Sequence, residues 1–262
     1  MKTFPIILFA LFLSASFASA QDTLYVYQGG AVLYKRVISA VDSVTFQKVY
    51  TTSLPVTDKD GNVYQTVTIG TQTWMASNLR VTHYRNGESI TNLTVDADWA
   101  GATFGAWCDY SNLAANGTKY GHLYNWYAAI DSRNIAPVGW HVPTDAEWTT
   151  LVNYVSANLG TSGSVAKALA AATNWAASTG AGAIGNDLTK NNSSGFSALP
   201  GGYRYSDNGT FRYVGSNGNW WSATEGDTGN AWNRLMDYYY SLVYRYNYNK
   251  TNGFSVRCLR DN

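Results

Sequence analysis

Residues 144–155 carry the sequence pattern of an amphipathic helix with a capped N-terminus, and any fold of this chain must include that helix. Thr144 is followed three residues later by Glu147, so the threonine hydroxyl can accept from a first-turn amide while the glutamate reaches back to the Thr144 N–H. Apolar side chains then recur on one face at helical spacing, at Trp148, Leu151, Val152 and Val155. The pattern predicts a helix that ends at Gly160, and a weaker alanine-rich helix is predicted over residues 164–172.

The rest of the chain carries short β-like runs separated by turns rich in glycine and asparagine. Short strands with about two helices make an α+β domain. Residues 58–62 read Asp-Lys-Asp-Gly-Asn and are similar to a calcium loop. An EF-hand, however, has glycine at its sixth position and glutamate at its twelfth, and this chain has neither in place. A hairpin turn is the favoured interpretation.

Residues 180–185 match the G-x-G-x-x-G pattern of dinucleotide-binding loops. That fingerprint must follow a strand and open a helix, whereas here it follows a predicted helix and continues into polar residues. We therefore predict a loop and no cofactor.

The first twenty residues have the three parts of a secretory signal peptide. These are Lys2, an apolar run over residues 6–13, and Ala18-Ser19-Ala20 before Gln21. The apolar run is shorter than the roughly 20 residues that span a bilayer, which favours cleavage over a retained anchor. We expect an exported protein, secreted or held at the cell surface or in the periplasm, with no membrane insertion after cleavage.

Residues 21–50 are predicted to be a small β segment, with strands at residues 23–27, 32–34 and 43–46. Residues 51–55 are assigned to a linker, and residues 56–262 to the main domain.

The charge balance excludes one class of partner. Loss of Lys2 with the signal peptide leaves 17 basic against 17 acidic residues, from 18 and 17 in the whole chain. A nucleic-acid partner calls for clustered lysine and arginine, so none is expected. Ten tryptophans and twenty tyrosines indicate much aromatic surface, which serves a core and a binding face equally.

The two cysteines, Cys108 and Cys258, suit an oxidising compartment as a pair. A disulfide between them would close a loop of about 150 residues and contribute roughly 4–5 kcal/mol in the chain-entropy model. We predict this disulfide, with two buried free thiols as the alternative.

No constellation of catalytic side chains is evident. The three histidines, His83, His122 and His141, lie far apart in sequence and are expected to be structural or surface residues. A glycosidase pair of Glu225 with Asp227 or Asp237 stays open, because only the distance in space decides it. We predict that the protein is not an enzyme and has no metal site, with a carbohydrate-active enzyme as the alternative.

Tyrosine and asparagine dominate residues 230–252. Rigid aromatic rings among adaptable amides are typical of antibody paratopes. If residues 244–249 form a strand, Tyr244, Tyr246 and Tyr248 lie on one face while Arg245 and the asparagines lie on the other. The tyrosine face either belongs to an aromatic core or presents a binding surface, and the pattern leaves both open.

Several motifs together resemble the Fibrobacter succinogenes major paralogous domain family over residues 56–261. They are D-K-D-G-N-V-Y-Q-T-V-T-I-G, W-M-A-S-N-L, Y-G-H-L-Y-N-W-Y-A-A, G-W-H-V-P-T-D-A-E-W, A-L-P-G-G-Y-R, W-W-S-A-T-E and G-F-S-V-R-C-L-R-D. The resemblance implies an exported bacterial module of the C-type-lectin-like class. It also implies that residues 220–224 and 253–259 are framework strands.

A more distant likeness is to formylglycine-generating enzymes, around the start of the predicted helix and in the final strand. Those enzymes carry two copper-binding cysteines a few residues apart, and this chain has no such pair. Sugar-binding C-type lectins use W-N-D for calcium, but residues 232–234 here read Trp-Asn-Arg. The resemblance therefore implies the fold, without oxidase activity or calcium-dependent sugar binding.

The same layout resembles variable proteins that retroelements diversify, in which mutagenesis of asparagine codons yields tyrosine, aspartate and serine. This resemblance and the tyrosine–asparagine bias select ten candidate ligand-binding residues: Trp232, Asn233, Asp237, Tyr238, Tyr239, Tyr240, Tyr244, Tyr246, Asn247 and Tyr248.

Together these observations predict an exported bacterial ligand-binding or adhesion protein that contacts an extracellular glycan or protein surface. A third possibility is a structural subunit in which residues 22–47 join another chain by β-augmentation.

Overall fold

The computed structural model describes residues 23–28, 31–37, 54–159 and 164–261. The chain divides into two units, residues 1–49 and residues 50–262. The predicted signal peptide, the third predicted strand of the small segment (residues 43–46) and most of the predicted linker lie outside the described residues.

The first unit contains an antiparallel hairpin of β1 (Thr23–Gln28) and β2 (Ala31–Val37). Thr23 lies opposite Val37, and the register shifts between Val26 and Tyr27. The first two predicted strands are thus confirmed.

The second unit is α+β, as predicted. Its described strands are β3 (Val56–Thr57), β4 (Val63–Tyr64), β5 (Thr66–Ile69), β6 (Gln72–Met75), β7 (Thr91–Asn92), β8 (Ala106–Cys108), β9 (Leu123–Tyr124), β10 (Trp140–His141), β11 (Tyr203–Arg204), β12 (Phe211–Arg212), β13 (Asn217–Glu225), β14 (Asn230–Asp237), β15 (Tyr244–Asn249) and β16 (Leu259–Arg260). Its described helices are α1 (Asp96–Ala100), α2 (Ala114–Tyr120), α3 (Trp126–Ala129), α4 (Asp145–Asn158) and α5 (Val165–Leu169), with 3-10 turns at Tyr110–Asn112 and Leu188–Lys190.

The strands form several small sheets. The largest has the order β10-β16-β6-β5, and three-stranded sheets have the orders β13-β14-β15 and β7-β8-β9. The pairs β3-β4 and β11-β12 are hairpins. Within the described strands every pairing is antiparallel except that of β7 with β8.

Local sequence signals account for the main helix and the first turn of this unit. Helix α4 begins with the predicted capping box: the Thr144 hydroxyl accepts from Glu147 N and the Glu147 carboxylate accepts from Thr144 N. The hairpin predicted at residues 58–62 is also present, between β3 and β4. The Asp58 carboxylate accepts from Asp60 N, from Asn62 and from the Tyr64 hydroxyl, so it organises the turn.

Residues 180–185 form a loop, as predicted. Asp96 and Asp98 lie in the first turn of α1.

Most of the tryptophans are in the core. Eight of the ten are buried, namely Trp74, Trp99, Trp126, Trp140, Trp148, Trp175, Trp220 and Trp221. Buried indole N–H groups find acceptors; Trp148, for example, donates to Trp221 O at 3.3 Å and Trp221 donates to Tyr124 O at 2.9 Å. An indole ring has a single hydrogen-bond donor, so one carbonyl acceptor is enough to offset the cost of removing its polar group from water.

Asn78, in the motif W-M-A-S-N-L, makes hydrogen bonds to residues of three other motifs quoted above. Its Oδ1 atom accepts from Trp220 Nε1 at 2.8 Å and from Arg257 Nη2 at 2.7 Å. Its Nδ2 atom donates to Tyr120 O at 2.7 Å. Because the Arg257 guanidinium is fully buried, these contacts tie the final strand segment to the core. Residues 220–224 lie within β13, which confirms the first predicted framework strand. Residues 253–259 are buried, but they form isolated bridges at residues 253–255 and belong to a strand only at Leu259, so the second predicted framework strand is confirmed only in part.

The predicted disulfide is wrong. Cys108 and Cys258 are free thiols, and both are fully buried. Cys108 packs with Trp99 and Leu123, whereas Cys258 belongs to a separate hydrophobic cluster with Met75 and Val256. Burial raises the pKa of the Cys108 thiol to about 12, so it behaves as a small inert apolar side chain.

Among the residues that the structure describes, no helix combines the length and the apolar character that a membrane crossing requires.

Candidate functional site: a tyrosine-lined cleft

The sheet β13-β14-β15 separates two surfaces, which we call the cleft face and the back face. Opposite partners in the register share a face, so Leu235 lies with Asn219 and Tyr244, while Arg234 lies with Trp220 and Arg245. The cleft face carries the odd-numbered side chains of β14 and the tyrosines of β15. The predicted alternation along β15 is therefore confirmed.

A second wall rises beside the cleft face. It is the β11-β12 hairpin, which carries Tyr203, Tyr205 just after β11, and Tyr213 just after β12. Gly202 connects this hairpin to β13 through Gly202 N–Asn217 O at 2.8 Å. Gly202 has φ +65°, and an added Cβ would lie 2.5 Å from Arg212 O, which explains the glycine that precedes Tyr203.

Arg204 anchors the β11-β12 hairpin to the rest of the second unit through its buried side chain. Its guanidinium is fully buried between the rings of Trp99 and Phe211, each 4.7 Å from the Arg204 Cζ atom. It donates to Leu93 O at 2.6 Å, to Gly209 O at 2.7 Å and to Asp96 Oδ1 at 2.8 Å. These contacts fix the backbone position of the two neighbouring tyrosines, Tyr203 and Tyr205.

Between the two walls lies a cavity of about 480 Å³, which we call the tyrosine cleft. Its aromatic lining is Tyr203, Tyr205, Tyr213, Tyr238, Tyr248 and Phe254. Its remaining lining is Leu235 and the polar residues Ser216, Asn217, Asn219, Asp237 and Asn252. A concave site with apolar walls and a few polar groups is the usual form of a small-ligand site.

The polar floor of the tyrosine cleft contains an unsatisfied amide. Asn219 is 2% exposed, and its Oδ1 atom accepts from Asn233 Nδ2 at 3.3 Å. Within the described part of the chain, Asn219 Nδ2 and Asn233 Oδ1 have no hydrogen-bond partner. Asp237 lies opposite Asn217, two residues along β13 from Asn219, and its Oδ1 atom accepts from Tyr239 N at 2.9 Å.

The cleft tyrosines are hydrogen-bond donors at neutral pH. Burial raises the pKa of Tyr203 and of Tyr248 above the ordinary tyrosine value. For Tyr205 the main cause of the raised pKa is a hydrogen bond to Asp207. Tyr213 has φ 62°, a left-handed conformation that is unusual for a bulky residue, and its side chain is 55% exposed at the cleft.

The back face combines apolar contacts with a buried charge: Trp220 and Met236 pack in the hydrophobic cluster that contains Trp148. Buried Arg234 donates to Asp145 Oδ1 at 2.6 Å and to Thr149 Oγ1 at 2.9 Å on α4. Arg245 also pairs with Asp145, at 3.0 Å, and its guanidinium lies 3.4 Å from the centre of the Trp232 ring. Trp232 and Asn247 are opposite partners on this face, away from the tyrosine cleft.

Residues 238–243, which we call the tip, connect β14 to β15 and are held by main-chain hydrogen bonds. Tyr238 N donates to Ser216 O at 2.9 Å, Gly185 N to Tyr238 O at 2.8 Å, and Ile184 N to Tyr240 O at 3.1 Å. From Tyr238 onward the tyrosine rings contact one another in a row that ends at Phe254. Tyr239 and Tyr240 are exposed at the tip.

The ten predicted ligand-binding residues therefore divide into groups. Asp237, Tyr238 and Tyr248 line the tyrosine cleft, and Tyr244 and Tyr246 continue the same face. Tyr239 and Tyr240 belong to the tip, whereas Trp232 and Asn247 lie on the back face. Asn233 has no exposed surface and lies beneath Asn219.

Four of the six aromatic lining residues were missed by the sequence reasoning, namely Tyr203, Tyr205, Tyr213 and Phe254. A signal was present, because Tyr203 and Tyr205 alternate on one side of the turn at Asn208-Gly209 while Phe211 and Tyr213 alternate on the other. Two aromatic rows in one hairpin indicate an aromatic face.

The other titratable candidates have structural partners. His83 lies 2.7 Å from Asp60, His122 lies 2.6 Å from Asp109, and His141 lies 2.6 Å from Asp261. Glu225 pairs with Lys250, and Asp227 accepts from Asn230. Glu225 is opposite Ala231, six residues along β14 from Asp237, which corresponds to about 20 Å along a strand. The hypothetical pair of Glu225 with Asp237 is thus too widely separated for a glycosidase.

Comparison with known families places most of the described second unit in one of them. Residues 67–260 match the family model of the Fibrobacter succinogenes major domain. No curated protein and no solved structure matches the chain. The C-type-lectin-like class therefore stays a prediction.

Proposed function

The chain belongs to the Fibrobacter succinogenes major domain family, and we propose that it is an exported, non-enzymatic binding protein whose ligand occupies the tyrosine cleft. One observation carries the proposal: five tyrosines from separate segments converge on one cavity above the buried Asn219 amide, whose nitrogen has no hydrogen-bond partner among the described residues. Buried polar atoms are normally paired, so an unpaired one in a cavity wall marks a place for a ligand group.

The distribution of carboxylates supports binding over catalysis. Among the residues described, the lining of the tyrosine cleft includes a single carboxylate, that of Asp237. A glycosidase requires two, about 5–10 Å apart on either side of the scissile bond. The carbohydrate-active enzyme is for this reason the weaker alternative.

Export rests on the pattern of residues 1–20. N-terminal sequencing of protein recovered outside the cytoplasm should begin at Gln21, and protein that begins at Met1 would contradict cleavage.

We expect that disruption of the tyrosine cleft will weaken ligand recognition strongly, while substitutions in the tip and on the back face have little effect. The full chain would be tested on combined glycan and protein arrays beside a Tyr205→Ala/Tyr248→Ala variant. Loss of two stacking rings should weaken any array signal by at least about tenfold, which corresponds to about 1.4 kcal/mol.

Two matched controls locate the site. Tyr239→Ala/Tyr240→Ala removes two exposed tyrosines of the tip, and Asn247→Ala changes the back face; both should stay within about twofold of the unaltered chain. Loss of binding in the tip variant with retention in the cleft variant would refute the tyrosine cleft as the site.

A second proposal is that exposed positions of the tip and of β15 are diversified. The tip is held by main-chain hydrogen bonds, which do not depend on side-chain identity. Exposed Tyr239, Tyr240, Tyr246 and Tyr248 can therefore vary without loss of the fold, whereas buried Asn233 cannot.

Deep sequencing of the 3′ end of the gene within a population tests the diversification. We expect substitutions at the exposed tyrosine codons and a constant codon 233. Uniform codons at all of these positions would exclude diversification and would leave ligand binding unaffected.

A further inference from the structure

We propose that the ligand of the tyrosine cleft is a neutral sugar, with the C–H face of the ring against the tyrosines and one hydroxyl group on the Asn219 amide. This inference rests on the proposed binding function and adds the chemical class of the ligand. It requires no metal ion.

The walls of the cleft suit a flat ligand with an apolar face. Tyr203 contacts Tyr213 and Phe254 with ring centres 5.9 Å apart in each case, and Tyr248 contacts Phe254 at the same distance. The Tyr203 and Tyr248 rings are both nearly perpendicular to Phe254, at 82°. The cavity of about 480 Å³ lies within the volume range of small-molecule sites.

The charge of the lining excludes anionic ligands. Asp237 contributes a negative charge, and the described lining includes neither lysine nor arginine. Arg212 stacks on the Tyr205 ring at 4.3 Å but is not among the lining residues. A phosphate, a sulfate or a uronic acid would therefore enter an aromatic cavity whose one described charge, that of Asp237, has the same sign as its own.

The buried amide distinguishes a sugar from an organic cation. Aromatic residues with one carboxylate also suit a quaternary ammonium group. Such a group, however, neither donates to an amide oxygen nor accepts from an amide nitrogen. The Asn219 and Asn233 amides contact each other through one atom of each, so either orientation of the pair leaves one polar atom of Asn219 unpaired.

A hydroxyl group satisfies that atom in both orientations, because it donates and accepts. Asp237 and the tyrosine hydroxyls add an acceptor and several donors nearby. A ligand with several hydroxyl groups around an apolar ring face matches this set.

The test is a titration of the isotope-labelled full chain, followed by protein NMR, with methyl glycosides of glucose, galactose and mannose and with neutral disaccharides. Galacturonate and choline are the anionic and cationic probes. We expect saturable shifts of resonances from the cleft with at least one neutral sugar and none with galacturonate or choline.

The chain provides a matched pair of variants for the rings. Tyr246 and Tyr248 lie two residues apart on the same face of β15 and are 42% and 40% exposed, but only Tyr248 lines the cleft. Tyr248→Ala should weaken sugar binding by about tenfold and Tyr246→Ala by less than about twofold. Equal effects would refute the cleft as the sugar site.

The contact between a sugar hydroxyl and Asn219 is tested by changing the protein and, separately, by changing the sugar. Asn219→Leu should weaken binding by about tenfold, with folding checked by thermal unfolding. Because that variant also disturbs Asn233, monodeoxy sugars provide a test without any change in the protein. One deoxy position should reproduce the loss in the unaltered chain and cause no further loss in Asn219→Leu.

The outcomes separate the ligand class from the proposed function. Shifts of the cleft with choline alone, or with galacturonate alone, would refute the neutral sugar and retain a binding cleft. If no sugar binds but array proteins are recognised in a way that depends on the cleft, the neutral sugar is likewise refuted and the binding cleft is retained. Deoxy sugars that all bind equally would refute the contact with Asn219.

Discussion

Replacement of Trp148 by alanine is expected to lower the free energy of unfolding by about 3–5 kcal/mol, the range for a buried tryptophan. The side chain is 2% exposed, lies 4.8 Å from the Trp74 ring and 5.8 Å from the Phe196 ring, and donates to Trp221 O. It connects α4 to β6 and to β13. Its removal leaves a cavity and an unpaired carbonyl between the helix and the sheet that carries the cleft.

Denaturant unfolding followed by circular dichroism measures this loss. Trp148→Phe keeps most of the volume and should cost less than Trp148→Ala, while Ser156→Ala, on the exposed side of the same helix, should stay within about 0.5 kcal/mol of the unaltered chain. A loss below about 1 kcal/mol for Trp148→Ala would contradict the central position assigned to this residue.

Replacement of Asp145 by alanine is expected to cost about 3 kcal/mol, because it leaves the Arg234 guanidinium buried without its carboxylate. The side chain of Arg234 is 3% exposed and that of Asp145 is 15% exposed, so water does little to replace the lost partner. Arg245, at 46% exposed, also pairs with Asp145 but is partly solvated and should contribute little. Thermal and denaturant unfolding measure the change.

The double variant Asp145→Ala/Arg234→Met identifies the cause of that loss. Replacement of both charges removes the uncompensated guanidinium, so the double variant should be more stable than Asp145→Ala alone. A double variant that is less stable than the single one would assign the loss to packing and not to charge. Ligand binding should persist at temperatures where the variants are folded, because the pair lies on the back face.

Local signals predicted the secondary structure well. The capping box at Thr144 and the apolar stripe from Trp148 to Val155 act between residues that are three or four positions apart, so the helix was predictable from residues 144–158 alone. The Asp-Gly turn between β3 and β4 and the alternation along β15 are equally local. The disulfide was not predictable in this way, since two cysteines in sequence carry no information about which hydrophobic cluster receives each one.

The site was predicted in part. The segment that contains Asp237, Tyr238 and Tyr248 was selected as a candidate surface because tyrosine among asparagine is chemically distinctive at any position, and these three residues line the tyrosine cleft. The division of that segment into cleft, tip and back face was not predictable. It depends on the register of β14 against both neighbours, and a shift of one residue would place Trp232 in the cleft and bury Asp237 on the opposite side.

The sequence by itself determined the local conformations and the aromatic chemistry of this protein, because capping, alternation and turn preferences act over a few residues. Only the tertiary structure decided which aromatic residues became core and which became a cleft. Buried tryptophans such as Trp148 and Trp221 donate their indole N–H to a main-chain carbonyl, whereas Tyr203, Tyr213 and Tyr248 meet at a cavity because strand pairing joins segments far apart in sequence. The unpaired amide of Asn219 likewise exists only where β13 and β14 place it beside Asn233.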